Sequence, residues 1–465
     1  MREAALLLLC IIFGLGVHLG LHLHDAPAPH THEFAADARG EAWAPRRTAA
    51  AVDVPAPPPP PPLPPPPPKE ADLYASLVAA PEPPPPPPAA AAGPMEAWAA
   101  AGRRFPVVML AATRDAELRN ALTSLISTAG AADVCVAQDG DAQAVADVVA
   151  EFAGVRRKSR PRPPQEPKVD GASRIARHYR FSLDWALAEC FPDAPAVVVV
   201  EDDLLFAPDF LDYFGAVAPA LERDESLFVA SAWNDNGFLE DGDKAALRRT
   251  SWFPGLGWLL PRALWERELR PKWPKTHWDH WMRDKKTHRG RETAYPEVPR
   301  SFHAGVKGTF MDSWHDGRYF APIRMNGEPF AWPAGAHAQV LRDAYEQRLA
   351  DALNDADHVA DLDEFRRRAE EDIWRPLVLW YGWTSRSAYD FEPPPFVCVS
   401  EVLHIWHEAV RAAHHGLHEH RLGRRKVFLV NAKESKYRTF KPGALAPLTQ
   451  RGCPAVTWQD LGKEE

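Results

Sequence analysis

Residues 197–214 read VVVVEDDLLFAPDFLDYF. Four successive valines show no apolar/polar alternation, so both faces of this strand must meet apolar neighbours, the pattern of a buried parallel strand. Three carboxylates follow without a break: Glu201, Asp202 and Asp203. Adjacent acids in a dry core repel one another and lose their hydration, so they belong where solvent or a cation reaches them. Hard carboxylate oxygens suit Mg2+ or Mn2+, which can bridge a nucleotide diphosphate and neutralise its charge as it leaves. An acidic cap at a helix start explains the same residues without a metal. The triplet alone leaves both readings open.

Upstream, FPVVMLAA (105–112) is another continuous apolar run, ending at Thr113-Arg114-Asp115 before the helical pattern AELRNALTSLIS. ADVCVAQDG (132–140) predicts a second strand, and QAVADVVAEFAG (143–154) a helix. ASRIARHYRFSLDWALAEC (172–190) has the spacing of an amphipathic helix leading into the valine strand. Such alternation predicts an α/β domain with a mainly parallel sheet, whose ligands bind at the carboxyl ends of the strands. Arg114, Asp139 and the Glu201-Asp202-Asp203 cluster all fall at such ends.

Downstream, SAWNDNG (231–237) carries a turn signal, and FPGLGW (253–258) brackets a leucine with glycines that let backbone approach a ligand closely. PKWPKTHWDHWMR (271–283) sets Asp279 among tryptophans. An acid so placed is partly desolvated and can act as a base, while the rings can stack on sugars. A core aromatic cluster with a satisfied aspartate is the other reading. His280 is adjacent to Asp279 in sequence, but neighbours point apart, so no dyad is implied. The chain has neither a GxGxxG nor a GxSxG motif, which excludes a dinucleotide fold and a serine hydrolase on this evidence.

The two ends differ in kind. Residues 1–3 precede AALLLLCIIFGLGVHLGLHL (4–23), long enough to cross a bilayer. We expect an uncleaved signal anchor, with a cleaved signal peptide as the alternative. Residues 24–103 hold 23 of the 48 prolines and read as a disordered stem, a polyproline spacer rather than a docking strip for SH3 or WW domains. The folded part is expected over 104–335, followed by a smaller C-terminal domain over 336–465. That domain would contain the helix HAQVLRDAYEQRLADALNDA and the strands PLVLWYGW and KVFLVNAK. A net charge of −9 with no sustained basic stretch argues against nucleic acid as a partner. Of five cysteines, Cys10 lies in the apolar run, and Cys135, Cys190, Cys398 and Cys453 can pair in three ways. No CxxC suggests zinc, and Cys135 within its apolar run is expected to be a buried free thiol.

Taken together, ARHYRF, VEDDL with APDF, SAWNDNG, FPGLGW, PKWPK and WDHWMR resemble, in order and spacing, the N-acetylglucosaminyltransferases that act on the 2-hydroxyl of mannose. That family includes the alpha-1,3-mannosyl-glycoprotein and protein O-linked-mannose enzymes. The resemblance covers about 105–325 closely and continues weakly to about 440. It implies a GT-A-type nucleotide-diphospho-sugar transferase fold and an inverting, Mn2+-dependent transfer from UDP-GlcNAc to a mannose-containing glycoprotein glycan. It also implies a type II Golgi membrane protein with a lumenal catalytic domain.

By the same resemblance, Arg114 would meet the donor's phosphate and nucleoside, Asp139 and His178 the uracil, Glu201 the donor sugar, and Asp202 the ribose. Asp203 would hold the metal. Asp279 would be the catalytic base, with Trp278 beside the transferred sugar. Departures accompany it. Ala112, Gly140 and Val229 stand where animal members have cysteines, and SFHAGVKGTFMDSW (301–314) matches only loosely. The WDHWMR spacing is nearer the N-glycan enzyme, while PRSFHAG is similar to the O-mannose enzyme. A catalytically silent glycan-binding protein on the same fold is the further alternative.

Overall fold

The computed structural model describes residues 92–453 apart from 163–168, 240–241, 306–312, 372, 386, 388–390 and 424. The apolar run at 4–23 and almost all of the proline-rich segment lie outside the described residues. Among the described residues, no helix is long and apolar enough to cross a membrane.

Chain order gives the strands β1 (Val107–Ala111), β2 (Val134–Asp139), β3 (Arg156–Arg160), β4 (Ala196–Glu201), β5 (Leu204–Phe206), β6 (Leu227–Ser231) and β7 (Leu247–Thr250). They continue as β8 (Trp258–Pro261), β9 (Glu292–Pro296), β10 (Ser301–His303), β11 (Asp357–Val359), β12 (Leu377–Tyr381), β13 (Leu417–Leu422) and β14 (Arg425–Asn431). The main sheet runs β3-β2-β1-β4-β8-β6-β9-β7. β1 pairs in parallel with β2 and β4, β2 with β3, and β6 with β9, while β7 and β8 run against their neighbours. The sheet is therefore mixed but mainly parallel. β5 and β10 form a small antiparallel ribbon, and β11-β12-β14-β13 a second sheet.

The continuous apolar strands are explained by cover on both faces. Val107, Met109, Val198 and Val200 pack on one side with Leu118 and Leu122 of the Asp115–Ile126 helix and Phe214 and Val217 of the Phe210–Arg223 helix. Val108, Leu110, Val197 and Val199 face the other way, onto Ala176, Tyr179 and Leu183 of the Gly171–Trp185 helix. Strand side chains alternate between faces, so a helix on each face demands an unbroken apolar run. The expectation for Cys135 needs correction: it is buried but bonded to Cys190 at a Cα–Cα distance of 6.8 Å, and Cys398 is bonded to Cys453. Cys190 comes from the end of the helical segment that covers this face, so a helix-to-strand staple replaces the free thiol.

The predicted strands PLVLWYGW and KVFLVNAK are β12 and β14, neighbours in the second sheet. This sheet is joined to the first by charge. Arg248 of β7 binds Glu297 at 2.8 Å and donates to the backbone carbonyl of Glu419 in β13. Arg421 of β13 reaches Glu297 at 2.8 Å, and Arg348 of the Arg342–Asp355 helix grips Glu419 with two bonds of 3.0 and 2.9 Å. His414 lies on the same seam. Its Nδ1 contacts Glu292 of β9 at 2.6 Å, and its Nε2 contacts Glu346 at 3.2 Å.

Two carboxylates can be served by one imidazole only if both ring nitrogens carry protons. Burial alone would push His414 down, but Glu292 and Glu346 hold it above its ordinary value. Glu292, buried with Arg249 and His415 also near, is held down to about 2, and Glu346 is further supported by Lys436 and Tyr437. A raised imidazole contributes stability that is complete below the unfolded value of about 6.5 and is lost as pH rises through the folded one. Urea midpoints of the wild type should therefore fall from pH 6 to pH 9 by more than those of His414→Gln. Parallel profiles would show that His414 is not charged in the folded protein.

Candidate functional site

The carboxyl ends of β1, β2 and β4 deliver the chemistry. Arg114 follows β1 and lays its guanidinium across the acidic triplet, donating to Asp202 and, at 2.7 Å, to Asp203. Glu201 closes β4 and accepts a 2.6 Å hydrogen bond from the Tyr179 hydroxyl. Asp203 is met from the far side by His303 of β10, whose Nε2 lies 3.5 Å from Oδ2. The backbone carbonyl of Asp203 accepts from Ala304 at 2.8 Å, so the β5–β10 ribbon fixes this face of the triplet.

The three acids do not share charge equally. Burial raises Glu201, with Asp203 adding to it. Burial also raises Asp202, to about 7, against the pull of Arg114. Asp203 feels burial too, but His303 and Arg114 bring it below its ordinary value. Asp203 is therefore the acid most firmly charged. A positive group already sits against it, and that group is Arg114.

Asp139 ends β2, and its carboxylate is clamped by Arg160 at 2.5 Å and Arg162 at 2.9 Å. Burial would raise it, but Arg162, His178 and Arg160 hold it low. His178 donates Nε2–H to the Ala137 carbonyl at 2.9 Å, and burial pushes its pKa down to about 4. A ring that is neutral near pH 7 at the edge of β2 suits a neutral heterocycle better than a phosphate.

Asp279 and Trp278 open the short Trp278–Arg283 helix, entered through His277 in the left-handed region at φ 45°. Trp278 is buried among aromatic rings: Tyr179 stacks on it at 3.9 Å between centroids, with Trp258 at 6.2 Å and Trp273 at 6.1 Å. The aromatic-core reading thus holds for Trp278. Asp279 differs, since 35% of its side chain is exposed and its Oδ2 accepts from Arg283 at 2.7 Å. Burial would raise it, but Arg283 and then His280 keep it below its ordinary value, hence ionised at neutral pH. His280 stays 4.0 Å away and forms no dyad.

The two acid sites are joined by a residue that sequence reading passed over. Tyr179 is fully buried, hydrogen-bonded to Glu201 and stacked on Trp278, and both Asp203 and Asp279 act on its hydroxyl electrostatically. The signal was present in ARHYRF, where Tyr179 follows His178. The helix turns successive side chains about 100° apart, so His178 reaches the end of β2 while Tyr179 reaches the end of β4. Arg160, Arg162, Arg283 and His303 were also missed. Each is a counter-charge or close neighbour of a residue that was named.

The FPGLGW stretch packs against β10. Gly255, Leu256 and Gly257 have φ of 71°, 51° and 92°, a left-handed run that glycine adopts without strain. The Leu256 carbonyl accepts from Ser301 at 2.6 Å, tying this turn to β10.

Tyr179→Phe keeps the ring stack but removes the 2.6 Å hydrogen bond to the half-buried Glu201 carboxylate. It should cost about 1–3 kcal/mol of unfolding free energy. Chemical denaturation of the two proteins measures this, and equal midpoints would mean that Glu201 is satisfied by other means.

The sequence pattern of the GNT-I family matches residues 89–442. A stretch of 164 residues is 43% identical to the alpha-1,3-mannosyl-glycoprotein 2-beta-N-acetylglucosaminyltransferase of Arabidopsis thaliana, covering 35% of this chain and 36% of that one. The matched stretch thus spans about a third of the curated relative. Glucosyl-3-phosphoglycerate synthase from Mycobacterium tuberculosis, solved with Mg2+ and UDP, overlays with a TM-score of 0.23 at 20% identity, covering 38% of this chain and 63% of that chain. The apo form of mouse xyloside xylosyltransferase 1 gives a TM-score of 0.24 at 14% identity, covering 40% and 77%. Scores at that level say nothing about the chemistry of this chain. The match from residue 89 to residue 442 does: the chain belongs to the GNT-I family.

Proposed function

We propose that this chain is an inverting glycosyltransferase that moves GlcNAc from UDP-GlcNAc to the 2-hydroxyl of a mannose in a glycoprotein glycan. The alpha-1,3-mannose arm of N-glycans is the favoured acceptor. The observation that carries the reading is Tyr179: it is hydrogen-bonded to Glu201 and stacked on Trp278, the residue before Asp279, and its hydroxyl feels both Asp203 and Asp279. One carboxylate cluster faces a cation and a departing nucleotide, and the other faces an incoming hydroxyl.

The residues fit a divalent cation. Asp203 is the firmly charged acid of the three, a guanidinium now occupies the place of positive charge beside it, and a Cβ at Gly305 would lie 2.8 Å from its Oδ2, so only glycine leaves that approach open. A bound Mn2+ would neutralise the charge that UDP gains on leaving. Arg114 can exchange its two aspartates for donor phosphate, since both are anionic partners for one fork of donors. Neutral His178 and the clamped Asp139 line the end of β2 for the base. Glu201, oriented by Tyr179, meets hydroxyls of the donor sugar.

Asp279 accepts the mannose 2-hydroxyl proton as that oxygen attacks the anomeric carbon. Arg283 holds Asp279 ionised and fixes its direction. The low pKa weakens Asp279 as a base in the ground state, and the arrangement works because the alcohol becomes acidic only as its bond to carbon forms. The Golgi membrane, reached through the apolar run at 4–23, is the location that this reading proposes.

Purified full-length protein should release UDP from UDP-GlcNAc when given a high-mannose N-glycan core and Mn2+, and should stop on chelation. Asp279→Asn should lower turnover by about 10²–10⁴-fold with donor binding retained. Full activity in that variant would remove Asp279 from the role of base. Turnover with an O-mannosyl peptide alone would move the acceptor to the O-mannose class, and glycan binding without UDP release would leave a silent lectin.

A further inference from the structure

Among the described residues, His303 has an environment that the folded chain alone does not explain. It is 8% exposed, sits at the end of β10, and its Nδ1 has no hydrogen-bond partner. Its Nε2 faces Asp203 Oδ2 at 3.5 Å, too long for a hydrogen bond of ordinary strength. A buried imidazole left without a good bond at either nitrogen costs free energy, so a partner is expected.

The spacing identifies the kind of partner. Two ligand atoms each about 2.1 Å from one octahedral cation, at right angles, lie about 3 Å apart, and wider bond angles open that gap further. The Asp203 to His303 separation of 3.5 Å is about 0.5 Å wider than that right-angle spacing. Asp203 Oδ2 also accepts from Arg114 Nη1 at 2.7 Å, so the oxygen that His303 faces already has a positive group against it. The backbone enforces the juxtaposition: β10 pairs with β5 in register His303↔Leu204, one residue past Asp203, and Ala304 N–H binds the Asp203 carbonyl. Moving His303 away would mean breaking the ribbon.

Building on the metal-dependent reading above, we infer that His303 is a second protein ligand to the cation, bound through Nε2 beside Asp203. A mixed oxygen–nitrogen seat has a consequence for selectivity. Imidazole favours Mn2+ over Mg2+, because the later, softer ion accepts nitrogen more readily. The chain should therefore discriminate between these two ions more sharply than an all-oxygen seat would.

The inference is tested by pulsed electron paramagnetic resonance of Mn2+ bound to the full-length protein in the presence of UDP. An imidazole ligand gives nitrogen-14 modulation of the Mn2+ signal. The wild type should show it, and His303→Leu should lose it and bind Mn2+ at least tenfold more weakly while melting as a folded protein. Because the wild type is itself informative, the result does not depend on the variant folding.

One other cluster, Glu292 with His414 and His415, is spaced to hold an ion, although His414 already serves two carboxylates. His415→Gln, at a more exposed position, is the control and should keep the modulation. Bound Mn2+ without nitrogen modulation would overturn the role of His303 and leave the glycosyltransferase reading standing. Modulation that survives His303→Leu and disappears in His415→Gln would also overturn it, by placing the metal elsewhere. Failure of the wild type to bind Mn2+ with UDP would overturn both this inference and the metal-dependent reading.

Discussion

The whole site depends on keeping three adjacent carboxylates at the end of a buried strand. The valines of β4 must be covered on both faces, which draws Glu201, Asp202 and Asp203 to the edge of a low-dielectric core where each is expensive to charge. The fold answers with three groups set against the three acids. Tyr179 serves Glu201, Arg114 spans Asp202 and Asp203, and His303 approaches Asp203 from the opposite side. These three groups come from three elements: the segment after β1, the Gly171–Trp185 helix, and β10. The acid triplet thus organises the surrounding chain as much as the chain positions the triplet.

Much of this was legible in the sequence because the constraint is local. Uninterrupted apolar runs gave β1, β2 and β4, and the acids and Arg114 fell at their ends by simple counting. The aromatic density around 273–281 offered a core cluster as one of two readings, and the structure shows Trp278 in such a cluster. What stayed hidden depends on contacts between distant segments. Tyr179 and Glu201 are joined only after a helix crosses the sheet, and His303 reaches Asp203 only through an antiparallel ribbon of three residues. The Cys135–Cys190 bond was missed for the same reason, since an apolar run around a cysteine looks alike with or without a partner on the helix above it. Asp139 illustrates the reverse case: its position was clear, but its two arginine partners lie on and just past an adjacent, polar strand, β3, that shows no strong periodicity.

Trp278 and Asp279 are neighbours in one motif with different surroundings. The ring is packed against Tyr179, Trp258 and Trp273, and that packing fixes the start of its short helix. A base must be aimed within a fraction of an ångström, and loops alone rarely hold such precision. Anchoring the preceding residue in an aromatic stack gives the aspartate a rigid mount without burying it. Arg283, one helical turn on, fixes the remaining freedom of the carboxylate.

The ionic seam between the two sheets sets a limit on how this protein can be divided. Arg248, Glu292 and Glu297 belong to the half built on the main sheet but find partners in Glu419, His414 and Arg421 of the other. Removing the later segment would take one buried partner from each of these groups, leaving Arg248 with Glu297 and Glu292 with Arg249. Evolution could exchange loops around such a body, but not graft its front half alone onto another scaffold. The two sheets stay together because the seam between them draws hydrogen-bond and ionic partners from both sides.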